Sequence, residues 1–285
     1  QVVIQFGLGD GTFQAPVECD VGLKPEGLIA ADFDGDGAID LATANTSSDD
    51  VSVLLNNGDG TFRPEERVAS GGGPVNLVAA DFDGDGAVDL AVANSKEGNV
   101  VILKNMGDGS FLRTTVLPAL GGAGGLAAAD FDGDGRIDLA CAETKARRLT
   151  FFRGNGDGSF VQTTSLAIGE DCMSVVVGDF NGDGRIDVAA ANAGDDTVMV
   201  FLNRPSGFTL SATLRTGTTP YTLVVVDAVG DNALALLTSN YNRDVSVFAG
   251  KGDGGFATLP RLPVGLGCNS LTVSDFNRDG RPDVA

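Results

Sequence analysis

The run Asp-Phe-Asp-Gly-Asp-Gly begins at Asp32, Asp81 and Asp130, each 49 residues after the last, and returns as Asp-Phe-Asn-Gly-Asp-Gly at Asp179. A worn copy starts at Asp227 and a further copy at Asp275, each 48 residues on. Self-similarity at such a period marks one supersecondary unit stacked on its neighbours, which excludes most folds at the outset. It favours a single repeat domain over residues 1–285. The unit also carries its own chemistry, a cluster of carboxylates on a glycine-rich turn.

Residues 75–119 serve as the model unit. Val75–Phe82 is an apolar run that ends in the acidic turn, and Val88–Ala93 follows, rich in Val, Leu and Ala. A polar loop leads to Val100–Leu103, then Gly107-Asp108-Gly109-Ser110-Phe111 signals a tight hairpin. A fourth run is Leu112–Leu117. Four short strands per unit, here called A to D with A innermost, describe a propeller blade. The predicted fold is therefore all-β, a β-propeller of four-stranded blades. The 41 glycines agree, since short strands need many turns.

The chain starts with strand C of one unit, Val2–Phe6, and stops with strand A and the start of strand B of another, Asp275–Ala285. Joining these ends would complete one blade and hide edges that an open sheet exposes. Six repeats are counted this way. Seven blades is the alternative if the chain is a fragment.

Net charge is −20. Such a chain repels nucleic acid, whose phosphates need a cationic surface. No uninterrupted apolar run approaches the ~18 residues of a membrane span, so membrane insertion is not expected. Oligomeric state is not legible. The four cysteines, Cys19, Cys141, Cys172 and Cys268, lack metal-site spacing and read as buried thiols.

In the first acidic loop, carboxylates fall at positions 1, 3, 5 and 9, which are Asp32, Asp34, Asp36 and Asp40. Gly37 at position 6 permits a sharp turn, and Ala38 at position 7 can offer its carbonyl. Hard oxygen ligands at alternating positions around a glycine turn suit Ca²⁺. The absence of His argues against zinc or copper. Position 8 is apolar (Ile39, Val88, Ile137, Ile186, Pro282) and is expected to anchor the loop to the core. An EF-hand shares the first half of this pattern but needs Glu at position 12, where this loop has Thr43.

The loop Asp-x-Asp/Asn-x-Asp-Gly-x-x-Asp, with the Gly-Asp-Gly-Ser/Thr-Phe turn, resembles the FG-GAP repeat of integrin α-subunit propellers and of secreted bacterial proteins. The resemblance covers essentially the whole chain. It implies a propeller with Ca²⁺ in the A–B loops on one face and ligand recognition on the other. By position it gives the second site to Asp81, Asp83, Asp85, Ala87 and Asp89, and the third to Asp130, Asp132, Asp134, Arg136 and Asp138. The fourth takes Asp179, Asn181, Asp183, Arg185 and Asp187, and the last Asp275, Asn277, Asp279, Arg281 and Asp283. About five calcium ions are expected. The copy from Asp227 has Val229 and Ala235 at positions 3 and 9 and should be metal-free.

Asp10, Asp59, Asp108, Asp157 and Asp253 read as hairpin turn residues on the same face as the acidic loops. The B–C and D–A loops share the opposite face and vary from repeat to repeat, which is where binding usually resides. Both tyrosines fall there, Tyr221 in a D–A loop and Tyr241 in a B–C loop beside Asn242 and Arg243. These four are the candidate ligand contacts. Lys145, Arg147 and Arg148 form a basic cluster read as a solvated surface.

The expected function is a calcium-stabilised extracellular or secreted module for adhesion or protein binding. The alternative is a lectin or the carbohydrate-recognition domain of a larger enzyme, so the partner is a protein or a glycan. Without His, a nucleophile elbow or a phosphate loop, the chain is expected not to be an enzyme.

Overall fold

The computed structural model describes residues 1–8, 12–227, 233–265, 267–277 and 279–285, and in it the described residues are strand and turn without a helix. Two short strands, β1 (Val2–Ile4) and β2 (Val17–Cys19), pair with each other. The first blade is β3 (Pro25–Ala31), β4 (Asp40–Asn45), β5 (Asp50–Leu54) and β6 (Glu66–Ala69). The second is β7 (Pro74–Ala80), β8 (Asp89–Asn94), β9 (Asn99–Asn105) and β10 (Phe111–Pro118). The third is β11 (Ala123–Ala129), β12 (Asp138–Glu143), β13 (Arg148–Gly154) and β14 (Phe160–Ala167). The fourth is β15 (Cys172–Gly178), β16 (Asp187–Asn192), β17 (Thr197–Arg204) and β18 (Gly207–Arg215). The fifth is β19 (Pro220–Val226), β20 (Ala235–Asn240), β21 (Asp244–Gly250) and β22 (Phe256–Thr258), with β23 (Leu262–Pro263) also on β21. Last come β24 (Val273–Ser274) and β25 (Asp283–Val284), paired with each other. Among the described residues the first and last pairs are separate two-stranded sheets, so the blade expected from joining the chain ends is not among the observed pairings.

The chain divides into two compact units. The first holds Gln1–Ala128, Arg136–Cys141 and Phe151–Thr163, and the second the remainder, so the division runs through the third blade.

The strand limits follow from residue chemistry. The B strands β8, β16 and β20 are buried along their whole length. Their Ala-, Val- and Leu-rich runs have no polar face because both sides of the sheet are covered. In the first unit, Ala42, Ala44, Val51 and Val53 of the first blade pack with Leu77, Leu90 and Val92 of the second. In the second unit, Ala189, Ala191, Val198 and Val200 pack with Leu223, Leu236 and Phe248. Outer strands alternate with Thr and Arg and stay partly exposed, as β10 does.

The half-buried residues correct two expectations. Cys141 and Cys172 are buried, but Cys19 and Cys268 are only partly so, and all four are free thiols. Ile39 does not anchor its loop to the core, because it is 55% exposed. Leu28 is 57% exposed as well, whereas Leu77, at the same place in the second repeat, is 5% exposed. The repeat fixes the strand but not what covers it.

Candidate metal-binding loops

Each acidic loop links strand A to strand B, and its shape is set by its own carboxylates. The position-1 aspartate accepts the position-6 amide in all five intact loops. These bonds are Gly37 to Asp32 (2.9 Å), Gly86 to Asp81 (2.9 Å), Gly135 to Asp130, Gly184 to Asp179 and Gly280 to Asp275 (2.8 Å each). Position 6 needs glycine here: Gly86 sits at φ 89°, where a side chain would be strained. The position-5 carboxylate accepts the amide of position 7, as in Ala38 to Asp36 (2.8 Å), Ala87 to Asp85 (2.9 Å), Arg185 to Asp183 (3.0 Å) and Arg281 to Asp279 (2.9 Å). The chain thus curls around the carboxylates rather than letting them splay into water.

In the first loop Asp32, Asp34 and Asp36 each offer one oxygen, all within 4.8 Å of one another, and Asp81, Asp83 and Asp85 do the same in the second. An all-oxygen, carboxylate-rich donor set fits a hard cation and not a soft one. The third loop is shared between the units, with Asp130, Asp132 and Asp134 in one and Asp138 in the other. The fourth and fifth have Asn181 and Asn277 at position 3; Asn181 donates to Asp187 (3.1 Å) and Asn277 to Asp279 (3.4 Å). Asp227 and Ala235 of the worn copy are described, but Val229, Asp231 and Asn232 lie outside the described residues.

Position 9 does a job that spacing alone did not reveal. Asp89 accepts the Phe82 amide on Oδ2 (3.0 Å) and the Asn105 amide on Oδ1 (2.8 Å). Asp40 does the same with Phe33 and Asn56, and Asp187 with Phe180 and Asn203. Asp138 takes the Gly154 amide (2.8 Å), and Asp283 the Phe276 amide (3.0 Å). Each of these bonds ties the acidic loop to itself or to the end of strand C. Burial pushes the Asp89 carboxyl up to about 6 and raises Asp40 and Asp187 as well. The lone-pair inventory still leaves each oxygen of Asp89 and Asp40 one further acceptor site, whereas Asp187 Oδ2 already accepts from Phe180 N and Asn181 Nδ2.

Neighbouring blades brace the loops. Within the first unit, the Asn105 side chain donates to Phe33 O (2.8 Å) and Val88 O (3.0 Å), and Phe33 meets Phe111 edge-on at 5.5 Å. Within the second, Asn203 donates to Phe131 O (2.7 Å) and Phe180 meets Phe256 at 5.9 Å. The C–D hairpins share this end of the sheets, as expected: Gly158 donates to Phe82 O (3.1 Å) and Gly254 to Phe180 O (3.0 Å). Asp59, Asp108 and Asp157 each accept both the amide and the hydroxyl of the residue two ahead, Thr61, Ser110 and Ser159, and those bonds hold their carboxyls low. Asp10 lies outside the described residues.

At the other end, the B–C turns differ in side chains but share a backbone. Asp49, Gly98, Arg147, Asp196 and Arg243 all occupy the left-handed region at matching places. Lys24, Gly73, Gly122, Asp171 and Thr219 do so just before strand A. Turns and D–A loops are zipped together, as in Ser95 to Gly73 O (2.8 Å), Ala193 to Asp171 O (3.0 Å) and Tyr241 to Thr219 O (3.2 Å). Tyr241, Asn242 and Arg243 are exposed on their turn. Tyr221 is not in a loop: it is the second residue of β19 and half-buried. The basic cluster divides. Arg148 pairs with the buried Glu143 (2.8 Å), which also accepts Thr150 (2.6 Å), while Arg147 pairs with Glu170. The signal was Glu143 itself, standing where other repeats have Asn45, Asn94, Asn192 and Asn240.

A family model for the FG-GAP-like repeat matches residues 32–92, 81–141, 130–190, 179–238 and 229–285. The chain belongs to the FG-GAP-like repeat family. The first four FG-GAP matches each start at the first aspartate of an acidic loop and end in the next blade's B strand. A search of curated proteins finds no match. Among solved structures, a Bacteroides uniformis protein named as a candidate 6-phosphogluconolactonase is similar, with TM-score 0.74 and 15% identity over 94% of this chain and 80% of its own. The periplasmic gluconolactonase of Pseudomonas aeruginosa matches with TM-score 0.61 and 20% identity over 85% of this chain and 71% of its own. A protein of unknown function from Desulfotomaculum acetoxidans matches with TM-score 0.68 and 14% identity over 93% and 77%. At such identities the likeness is one of fold. It nonetheless corrects the expectation that this FG-GAP chain is no enzyme, because proteins with lactonase names share its architecture. The missing His and nucleophile elbow exclude particular chemistries, not catalysis.

Proposed function

We propose that the chain is a calcium-stabilised, secreted binding module that recognises a protein partner through the B–C and D–A end of its blades. Support for the metal is the gathering of Asp32, Asp34 and Asp36, and of Asp81, Asp83 and Asp85, on glycine turns. About five ions would be held, one for each intact loop, with position 7 contributing its carbonyl. Ca²⁺ is favoured over Mg²⁺, which keeps its waters and demands near-octahedral geometry. Among the described residues no helix is long and apolar enough to cross a membrane.

One observation carries the binding reading. The turns hold a common backbone while their side chains vary, and Tyr241 stands 59% exposed on one of them. A rigid turn that displays an aromatic loses little entropy when it binds. The experiment is calorimetric calcium titration of the intact chain, then a screen of secreted proteins and a glycan array. Saturable calcium uptake and a protein hit weakened by the Tyr221→Ala, Tyr241→Ala pair support the reading. A glycan hit alone favours the lectin alternative.

A second reading is a sugar lactonase, favoured by the names of the Bacteroides and Pseudomonas proteins. Hydrolysis of gluconolactone and its 6-phosphate, with and without calcium, tests it. Rates no faster than buffer would remove it.

A further inference from the structure

We propose that Lys104 and Arg63 are built-in counter-cations of the second and first acidic loops, seated so that they compete with a bound divalent ion and weaken its hold. The proposal rests on the reading that these loops take up calcium.

Lys104 is the last residue but one of β9. The next residue, Asn105, is bolted to the loop through Asp89, so the strand end delivers Lys104 to the carboxylates. Its ammonium pairs with Asp83 and, at 3.0 Å, with Asp85. These are positions 3 and 5 of the cluster that would bind the metal. In the first loop Arg63 reaches Asp34 at 3.0 Å and Asp36 at 4.0 Å, again positions 3 and 5.

The two cations come from different places. Leu55 stands in the first repeat where Lys104 stands in the second, and Arg63 lies across the hairpin, its amide bonded to Leu55 O (2.8 Å). The fourth and fifth loops reach the same end by a third route. There the cation is position 7 of the loop: Arg185 pairs with Asp183, and Arg281 with Asp279 at 3.0 Å. Where position 7 is Ala38 the charge arrives from across the hairpin, and where it is Ala87 from the end of β9. Three sequence positions deliver one cation to the same carboxylate, so its presence there is not an accident of register.

Such a group has two consequences. Without metal it offsets the repulsion among carboxylates held close together. With metal it lies against an ion that draws on the same oxygens, and the repulsion of a single and a double charge in a largely aqueous medium lowers affinity about tenfold.

The test is calcium titration of the intact chain by calorimetry, comparing Lys104→Gln, Arg63→Gln and Lys104→Arg with the parent. Lys96→Gln, at the far end of the sheet, is the control. Each neutral variant should tighten one site about tenfold and melt lower in chelator, while Lys104→Arg and Lys96→Gln keep the parent affinities. Arg63, 45% exposed, gives an independent arm should Lys104→Gln fail to fold. A parent that binds calcium with affinities the neutral variants share, or that they weaken, overturns the proposal and leaves the calcium reading standing. A parent that takes up no calcium overturns both.

Discussion

Replacing Asp89 by alanine should destabilise the fold even when no metal is available. The carboxylate is 1% exposed and accepts two buried amides, from Phe82 and Asn105. Truncation orphans both, at about 1–3 kcal/mol each. Part of that loss is offset, because the native carboxylate is itself desolvated and its pKa stands near 6. A shift of that size is about 3 kcal/mol between protonation states. The net loss at pH 7 should be about 2 kcal/mol, or roughly 3–4 °C in melting temperature for a chain of 285 residues. Asp89→Asn keeps one carbonyl acceptor and sheds the charge, so it should lose less. Asp85, exposed in the same loop, supplies the contrast: Asp85→Ala gives up one amide bond and an exposed ion pair, so it should lose much less than Asp89→Ala in chelator. The assay is thermal unfolding followed by far-ultraviolet circular dichroism, in chelator and in millimolar calcium. If Asp89→Ala matches the parent in chelator and falls only in calcium, position 9 is a metal ligand and nothing more, and the clamp argument is wrong.

Asp36→Ala should lower the melting temperature in calcium and much less in chelator; equal losses in both would reduce Asp36 to a turn residue. Asn203→Ala should cost about 1–3 kcal/mol in urea unfolding, since it strips the buried Phe131 carbonyl and the partly buried Ile186 carbonyl of their donor; a loss below about 0.5 kcal/mol would mean that water replaces the amide. In chelator, stability should rise as pH falls from about 6 towards 4, because the folded state holds protons on the raised Asp89, Asp40 and Asp187 that the unfolded chain has released. Below about 4 it should fall again, as Asp59, Asp108 and Asp157, whose carboxyls are held low, become protonated. A monotonic loss of melting temperature from pH 7 to 4 would contradict the raised values.

The architecture was legible because each repeat writes the same four strands in the same order. Val75–Phe82, Val88–Ala93, Val100–Leu103 and Leu112–Leu117 were expected, and the strands run Pro74–Ala80, Asp89–Asn94, Asn99–Asn105 and Phe111–Pro118. The gathering of the acidic loops was legible for the same reason: alternating carboxylates around a glycine have few ways to lie. Burial was not. Ile39 and Val88 share a position, yet one is exposed and the other half-buried, because cover comes from a neighbouring blade that sequence spacing does not describe. Tyr221 was misplaced by a residue or two, since the extended stretch after Pro220 reads equally well as loop or strand. The buried Glu143–Arg148 pair went unseen because it replaces an Asn by a residue that usually faces water.

The loops owe their shape to their own polar groups before any ion enters. Position 1 holds the position-6 amide, position 5 holds position 7, and position 9 in the first, second and fourth loops holds two amides on either side. Positions 3 and 5 then carry the excess negative charge, and it is these that Lys104 and Arg63 meet. A calcium ion binding here would therefore neutralise a cluster already folded, instead of folding one from disorder. Its contribution to stability is then the mass-action term alone, growing as the logarithm of free calcium over Kd. At affinities of about 10⁻⁴–10⁻³ M, usual for extracellular modules, each site adds at most about 1–2 kcal/mol at millimolar calcium. Several such sites along one chain would make the fold respond to calcium in steps, and on the proposal above the tethered cations would set which step comes first.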